Sequence, residues 1–236
     1  MDVYEKQYRL LSSDTDAGRR LRLSRLLTML QEAAIAHTEL LGAGRTKTLD
    51  RGILWVIATQ QVRIRRLPEY DEEITLTSVP GDMMHVFFPR HYRISDAAGN
   101  ELITASALWA LMDQKTRAMV FPKNEEIGIC GVKPDWETFM PRPPRLPSDP
   151  DERRFTVPYS YTDLNGHMNN TRYFDLAEDL MPADLRAKNA RELSVEYTGE
   201  ARLDEEIRLS FSADAEEFLL SGATDKRLFR LGIRYE

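Results

Sequence analysis

Hydrophobic residues in the first half of the chain follow first a helical and then a strand-like spacing. Apolar side chains at Leu23, Leu26, Leu27, Leu30 and Ala34 lie at helical intervals and predict one amphipathic helix. The segments after it are rich in β-branched and aromatic residues, which is typical of strands. The predicted strands are 53–66, 72–79, 85–96 and 100–113, and the last two flank a turn at 97–100. One helix followed by antiparallel strands indicates an α+β unit.

The second half repeats this plan on a smaller scale. A helix is predicted after the polar stretch 161–170, and strands follow at 205–213, 217–224 and 227–235. In the last of these strands, apolar residues from Phe229 to Tyr235 alternate with Arg or Gly, so one face of the strand is expected to be buried.

The two halves also resemble each other in sequence. TDAGRRLRLSRLLTMLQEA, which begins at Thr15, aligns without a gap on TDLNGHMNNTRYFDLAEDL, which begins at Thr162, at an offset of 147 positions. The tetrapeptide DEEI at 71–74 recurs at 204–207, at an offset of 133. Two matches in the same order indicate a duplicated unit. A curved sheet wrapped around one helix is the hotdog shape, so we predict a tandem (double) hotdog in which two helix-wrapped antiparallel sheets pack as a pseudo-dimer.

A proline-rich stretch separates the two units. Seven of the twelve prolines lie between Pro122 and Asp151. Because proline disfavours both helix and strand interiors, this stretch is predicted to be a linker or a long crossing over the surface. The predicted boundaries are 1–125 for the first unit, 126–152 for the crossing and 153–236 for the second unit.

Composition narrows the class of protein. The 236 residues are 42% hydrophobic and 30% charged, which is enough for a real core. No apolar run is long enough for a membrane helix and the N-terminus lacks an apolar signal region, so a cytoplasmic protein is expected. The net charge of −6 disfavours nucleic-acid binding. The single cysteine, Cys130, excludes an intramolecular disulfide and a cysteine-based zinc site, and no cofactor or metal is expected.

Candidate chemistry is concentrated where the second unit passes into its helix. Asp163, Asn165 and His167 occupy every second position and are followed by Asn169 and Asn170. An extended segment would place the first three on one side, although Asn-Gly at 165–166 is a turn signal. A helix N-terminus can hold a developing oxyanion. An Asx turn, a helix cap and a surface histidine are an equally simple explanation of the same pattern.

The internal copy favours a functional explanation. At the equivalent positions the first unit has Asp16, Gly18 and Arg20, so it reaches the same predicted turn without the Asn-His pair. The same alignment places Glu200 opposite Leu67. Since one copy folds without these polar groups, we expect the second copy to keep them for chemistry.

These segments resemble a known family. TDLNGHMNNTRYFDLAEDL is similar to the D-x-N-x-H-x-N-N-x-x-Y signature of acyl-acyl-carrier-protein (acyl-ACP) thioesterases, and VEYTGEARLDEEI resembles a second block in which a Glu follows a Tyr-containing strand. YRLLSSDTDAGRRLRLSRLLTMLQEAA resembles the family's opening strand and helix, so the resemblance covers nearly the whole chain. A looser form of the first motif occurs in single-hotdog acyl-CoA thioesterases. The tandem arrangement with only the second copy equipped favours the carrier-protein family.

The resemblance implies a catalytic set of Asp163, Asn165, His167 and Glu200 that hydrolyses fatty acyl-ACP by direct attack of water. Many plant members have a Cys after the Glu, where this chain has Ala201, so the motif contains no thiol nucleophile. Glu200 is expected to act as general base, with His167 orienting water or Glu200 or protonating the leaving group. Asn165 would hold the carbonyl or the water. Asp163 would fix its neighbours, and the alternative that Asp163 attacks to form an anhydride stays open.

The resemblance also implies a tunnel and a partner. The acyl tunnel would lie in the first unit, where Met29, Leu30, Ala33, Trp55 and Ile57 are candidates that suit an ordinary core equally well. Carrier proteins are acidic, and two groups of arginines could dock one. The two groups are Arg19, Arg20, Arg22 and Arg25, and Arg63, Arg65 and Arg66.

Other functions and assemblies fit parts of the pattern. An acyl-CoA thioesterase would differ in its carrier, and a non-catalytic acyl-binding module would bind without turnover. A hotdog dehydratase also pairs a His with a carboxylate, although the D-x-N-G-H-x-N-N pattern fits hydrolases better. A homodimer is compatible with the sequence, which leaves the oligomeric state open.

Overall fold

The structure is a computed structural model that describes residues 2–121 and 127–236. Residues 122–126, which include the start of the proline-rich stretch and the predicted boundary at 125–126, lie outside the described residues.

In the first unit a long helix precedes most of the strands. Its elements are β1 (Tyr4–Arg9), α1 (Leu23–Leu40), β2 (Ile53–Ile64), β3 (Glu73–Pro80), β4 (Phe87–Asp96), β5 (Glu101–Asp113) and β6 (Met119–Val120).

The second unit has the same element order with a shorter helix. Its elements are β7 (Asp151–Thr156), α2 (Arg172–Leu180), α3 (Ala183–Arg186), β8 (Ala190–Tyr197), β9 (Glu206–Ala213), β10 (Glu217–Ala223) and β11 (Arg227–Tyr235). The strand order is β1-β3-β4-β5-β2 in the first unit and β7-β9-β10-β11-β8 in the second, and β6 pairs with β5. Each strand of β7–β11 therefore has one counterpart in β1–β5.

The two sheets are continuous with each other. Strand β2 pairs antiparallel with β8, with Thr59 opposite Glu196 and Gln61 opposite Ser194. This pairing joins the units edge to edge in one sheet, which has eleven strands within the described residues. It satisfies backbone groups that two separate sheets would expose at their edges. The predicted α+β tandem hotdog is confirmed, with the refinement that its two sheets share a hydrogen-bonded seam.

Each helix buries one face against its own half of the sheet. The predicted stripe on α1 is buried, with Leu26 and Leu30 fully inaccessible to solvent. On α2 the buried residues are Tyr173, Phe174, Leu176 and Ala177. Burying one such large apolar side chain contributes about 1.5–3 kcal/mol. This packing fixes the N-terminal ends of both helices relative to the sheet.

Backbone details repeat between the units at the offsets found in the sequence. The 3-10 turn Ser12–Asp14 has its counterpart in Tyr159–Tyr161, again 147 positions later. The backbone is left-handed at Arg19 (φ 64°) and at its equivalent Gly166 (φ 75°). Asp71 and Asp204, which open the two DEEI segments, are also left-handed. The duplication therefore extends to individual turns.

The described part of the proline-rich stretch crosses the sheet. The ring of Phe139 lies under the Arg63 guanidinium at 4.0 Å, and the backbone N–H of Arg142 donates to Gln61 Oε1 at 3.1 Å. Further along, Arg145 pairs with Glu217 of the second unit. The stretch thus passes from one unit to the other over the shared sheet. Within residues 2–121 and 127–236, none of the helices has the length and apolar character needed to cross a membrane.

Candidate active site

The segment 163–167 is a closed turn and not an extended strand. The backbone N–H of Asp163 donates to the His167 carbonyl at 2.9 Å, and that of Gly166 donates to the Asp163 carbonyl at 3.0 Å. Asp163 Oδ1 accepts the backbone N–H of Asn165 at 2.8 Å. The left-handed backbone at Gly166 permits this turn without steric cost. Strict alternation therefore fails, and Asp163 braces a turn that presents Asn165 at its exposed tip.

Backbone pairing brings this turn to Glu200. His167 forms an isolated antiparallel bridge with Arg202, and the Met168 N–H donates to the Ala201 carbonyl at 2.8 Å. Glu200 lies just before this paired segment. The Nε2 atom of His167 is 3.7 Å from Glu200 Oε2. Two predicted residues that are 33 positions apart in the sequence thus face each other directly.

A further residue of this cluster, Arg117, is not predicted from the sequence. Arg117, in the turn between β5 and β6, forms an ion pair with Glu200 through Nη2. It belongs to the first unit, so the cluster is built from both units. The stretch around it reads as an ordinary charged turn. No local sequence signal distinguishes Arg117 from a solvated arginine, because its partner lies 83 positions away.

Burial and charge act together on His167. The pKa of His167 is lowered from its ordinary value, first by burial and then by the neighbouring positive charges of Arg117 and Arg202. Asp163 and Glu205 act in the opposite direction and are outweighed. The imidazole is therefore neutral at pH 7. Its Nδ1 atom is buried and has no hydrogen-bond partner among the described residues.

The polar residues after the turn fix the start of α2. Asn169 Oδ1 accepts both the backbone N–H of Thr171 at 3.0 Å and its hydroxyl at 2.8 Å. The Tyr197 hydroxyl of β8 donates to the Asn170 carbonyl at 2.9 Å. The Asn169 side chain thus serves local structure, whereas Asn170 contributes its backbone carbonyl, and both contacts hold the start of α2 in place.

An apolar cavity of about 190 Å³ opens beside the tip of the site turn. Asn165 and Leu164 of the second unit lie at its wall, together with Ala34 of α1 and Trp55 of β2. The Trp55 and Phe88 rings meet edge to face with centroids 4.9 Å apart. Most of the lining belongs to the first unit, and Leu164 and Asn165 come from the second, so residues of both units line this cavity.

The tunnel candidates lie in different places. Trp55 lines the cavity, whereas Met29, Leu30, Ala33 and Ile57 are buried in the core and do not line it. Residues that line the cavity and were not anticipated include Ala34, Phe88, Trp109 and Ile129. They come from α1, β4, β5 and the crossing, and their convergence depends on strand register.

The equivalent turn in the first unit has a different use. Arg20, which stands where the second unit has His167, pairs with Asp16 at 3.0 Å. Its guanidinium also donates to the carbonyls of Lys188 and Arg186 in the second unit, at 2.8 and 2.9 Å. Leu67, the counterpart of Glu200, is buried. In the first copy, the residue equivalent to His167 is thus Arg20, whose hydrogen bonds link the two units.

The arginines proposed for docking are unequally available. Arg20 is paired as described, and Arg25 pairs with Asp14 at 2.8 Å. Arg19 and Arg22 are exposed and form no ion pair with any residue that the structure describes. In the second group, Arg65 pairs with Glu101 and Arg66 with Glu72, at 2.8 and 2.7 Å, and Arg63 stacks on Phe139.

Other reactive groups stand apart from the turn. Cys130 is exposed and belongs to the crossing, whereas Ala201, beside Glu200, is fully buried. Over the described ranges, no group of three or more His, Cys, Asp or Glu side chains is arranged to hold a metal ion.

Comparison with known proteins identifies both units. The family model described as acyl-ACP thioesterase N-terminal domain matches residues 1–127. The model described as acyl-ACP thioesterase C-terminal domain matches residues 146–227. Together they cover most of the chain and divide it at the proline-rich stretch.

Individual relatives agree with this match. The chain is 25% identical over 214 residues to a chloroplastic acyl-[acyl-carrier-protein] hydrolase of Cuphea viscosissima, covering 84% of this chain and 52% of the relative. It therefore spans about half the length of that curated protein. An acyl-ACP thioesterase from Bacteroides thetaiotaomicron superposes with a TM-score of 0.87 at 21% identity, covering 100% of this chain and 98% of the other. For the 12:0-ACP thioesterase from Umbellularia californica the TM-score is 0.82 at 18% identity, with 99% and 97% covered. These structures share the fold.

Proposed function

We propose that this chain, which belongs to the acyl-ACP thioesterase family, hydrolyses fatty acyl-ACP thioesters to free fatty acid and carrier protein. The observation that carries the proposal is the 3.7 Å separation between His167 Nε2 and Glu200 Oε2. This distance is too long for a direct hydrogen bond and suits a bridging water. A water held there would lie next to a carboxylate that can accept its proton.

The reaction follows from these positions. The water oxygen attacks the thioester carbon while Glu200 takes a proton from the water as general base. The resulting tetrahedral intermediate collapses, the carbon–sulfur bond breaks and the leaving sulfur takes up a proton. Neutral His167 holds the water beside Glu200 and can relay that proton to the sulfur. The products are a fatty acid and the carrier's thiol.

Asn165 and Asp163 support this step from the turn. Asn165 lies where the cavity meets the site, so its amide can bind the thioester carbonyl as charge develops on the oxygen. Asp163 is engaged by the backbone N–H of Asn165 at 2.8 Å, which favours a bracing role over nucleophilic attack. The proposed catalytic set is therefore Asp163, Asn165, His167 and Glu200, each with a different task.

The first unit would bind the acyl chain. Its cavity of about 190 Å³ is lined by apolar groups of α1, β2, β4 and β5 and reaches the tip of the site turn. An acyl chain that enters past Asn165 would place its thioester near Glu200. The first unit, predicted as 1–125, thus supplies the chain pocket, and the second unit, predicted as 153–236, supplies most of the chemistry.

The carrier protein would dock on the arginine group of the first unit, Arg19, Arg20, Arg22 and Arg25. Arg19 and Arg22 are its exposed members. Arg20 and Arg25 form ion pairs with Asp16 and Asp14. They would therefore contribute to the electrostatic potential of the surface more than to direct contacts with the carrier. Attraction of an acidic carrier by exposed arginines would act mainly on the rate of encounter.

The first experiment measures thiol release from matched acyl-ACP and acyl-CoA substrates of several chain lengths, with wild type and Glu200→Ala in parallel. Release from acyl-ACP that falls by about 10²–10⁴-fold in the variant supports the proposal. A loss below about tenfold in a folded variant would contradict the role of Glu200. Preference for acyl-CoA would reassign the carrier, and binding without turnover by folded wild type would leave an acyl-binding module.

A further inference from the structure

Arg117 reaches the site of the second unit from the first. Its turn is braced by Asp113, whose Oδ1 accepts the backbone N–H groups of Lys115 at 3.0 Å and Thr116 at 2.7 Å and the Thr116 hydroxyl at 2.9 Å. The backbone of Arg117 is left-handed, with φ 57°, and its N–H donates to the Asp113 carbonyl at 3.0 Å. A non-glycine residue in this conformation is uncommon and indicates a constrained position.

The ion pair that Arg117 forms is partly shielded from water. The Arg117 and Glu200 side chains are 28% and 34% exposed. Both belong to the cluster that includes His167, which is 17% exposed. A charge pair at this depth is screened less than a surface pair, so it can hold a side chain in place. The carboxylate of Glu200 is thus held between a guanidinium and an imidazole.

We propose that Arg117 is a positioning residue for the hydrolysis: it holds Glu200 ionised and aimed at the water that His167 shares, so that the reaction site requires both units. This inference rests on the proposed function. It goes beyond the residues that the signature segments contain, since Arg117 lies outside all of them.

The positive charge of Arg117 affects the protonation of both Glu200 and His167. A guanidinium beside a carboxylate favours its ionised form, which a general base needs. The same positive charge lowers the pKa of His167, after burial and together with Arg202, against Asp163 and Glu205. Removing the charge of Arg117 should therefore make both Glu200 and His167 easier to protonate. The acid limb of kcat/KM should then move to higher pH.

The test compares Arg117→Gln and Arg117→Lys with wild type. We expect Arg117→Gln to lower kcat/KM for acyl-ACP by about tenfold or more, with the acid limb at higher pH, because the base loses its charged partner. Arg117→Lys keeps the charge and should hold the acid limb in place while recovering part of the rate. Lys115→Gln, an exposed change in the same turn, is the matched control and should behave as wild type.

A readout independent of turnover separates this inference from the proposed function. The titration of the His167 imidazole, followed by NMR and assigned with His167→Asn, should move to higher pH in Arg117→Gln and not in Lys115→Gln. The double variant of Arg117→Gln with Glu200→Gln should cost no more activity than Glu200→Gln alone.

Other outcomes would overturn the inference. An unmoved His167 titration with a loss of rate that is equal at every pH would make Arg117 merely structural, and additive losses in the double variant would mean that it does not act through Glu200. If wild type hydrolyses no thioester, the proposed function fails, and the titration still decides whether Arg117 acts on the cluster. If Arg117→Gln does not fold, Arg117→Met, which also removes the charge, replaces it in each of these comparisons.

Discussion

His167 and Arg20 occupy the same position in two copies of one turn, and each forms the same backbone bridge to the segment opposite. His167 bridges to Arg202, and Arg20 bridges to Glu69, at matching offsets. Their side chains then diverge: Nε2 of His167 approaches Glu200, whereas Arg20 pairs with Asp16. The same backbone arrangement therefore places a histidine beside a carboxylate in one unit and an arginine clamp in the other.

The lowered pKa of His167 predicts activity that persists on the acid side. Because burial, Arg117 and Arg202 depress this pKa, the imidazole stays neutral to a pH below its ordinary value of about 6.5. The contribution of neutral His167 is present above the folded pKa and is lost as the pH falls through it. We therefore expect the midpoint of the acid limb of kcat/KM for acyl-ACP to lie below pH 6.5.

His167→Asn provides the check on that profile. It should lower kcat/KM by about 10²–10⁴-fold and remove the His167 step from the pH dependence. His85→Asn, at a turn between β3 and β4, serves as the control for loss of a histidine. An acid limb centred above pH 6.5 in wild type would contradict the electrostatic description of the site.

The cavity predicts that a single residue on α1 limits the acyl chain. Ala34 is buried and lines the cavity, so Ala34→Leu should fill part of the roughly 190 Å³ space. Release from the longest acyl-ACPs should then fall several-fold, while release from short ones stays near wild type. Filling a void should also leave the melting temperature unchanged or raised.

Ala36→Leu is the matched control for this change, because it alters the same helix outside the cavity lining. It should leave the chain-length profile unchanged. Equal losses at every chain length in folded Ala34→Leu would show that the acyl chain does not use this cavity.

The docking proposal predicts an effect that depends on the carrier. Arg19→Glu combined with Arg22→Glu should raise KM for acyl-ACP steeply and flatten its salt dependence, because an acidic carrier would meet reversed charge. Hydrolysis of the corresponding acyl-pantetheine, which lacks the carrier, should not change. Arg153→Glu, an exposed reversal on β7, tests for a general effect of net charge.

An unchanged KM and salt slope in the double reversal would remove Arg19 and Arg22 from the docking surface. A similar loss on acyl-pantetheine would mean that the variant disturbs the site itself. Arg20 is unsuited to this test, since its guanidinium binds carbonyls of the second unit.

Glu178 on α2 predicts a pH-dependent stability that is separate from catalysis. Burial, followed by the nearby charge of Asp175, raises its pKa to about 7. A carboxyl whose pKa is higher in the folded state than in the unfolded state lowers the free energy of unfolding at high pH, because its ionisation is less favourable in the folded state. The penalty begins as the pH rises past the ordinary value of about 4.5 and is complete above 7.

Glu178→Gln should therefore raise the melting temperature at pH 8 and leave it nearly unchanged at pH 4. The control is Asp184→Asn on α3, an exposed acid for which no such effect is expected. A stabilisation of equal size at both pH values would mean that the carboxyl's charge is not the cause.

The repeated architecture could be predicted from the amino-acid sequence alone. The period of apolar residues placed α1 and the strands to within a few positions, because amphipathic patterns must match the spacing of the element that buries them. The offsets of 147 and 133 positions anticipated paired turns such as Arg19 and Gly166, since the same local residues select the same backbone. The comparison of the two copies also singled out His167 and Glu200, which the structure places 3.7 Å apart.

Features that depend on contacts between distant segments became visible only in the folded chain. The pairing of β2 with β8 joins the two sheets into one. No local pattern specifies this pairing, because the edge of each strand could also pair with another strand. The cavity lining depends on how α1 packs on the sheet and on strand register, so Met29 and Ile57 lie in the core whereas Ala34 lines the cavity. Arg117 of the first unit reaches Glu200 of the second because the fold places the β5–β6 turn beside it. Local composition sets which elements form, and long-range packing sets which side chains meet.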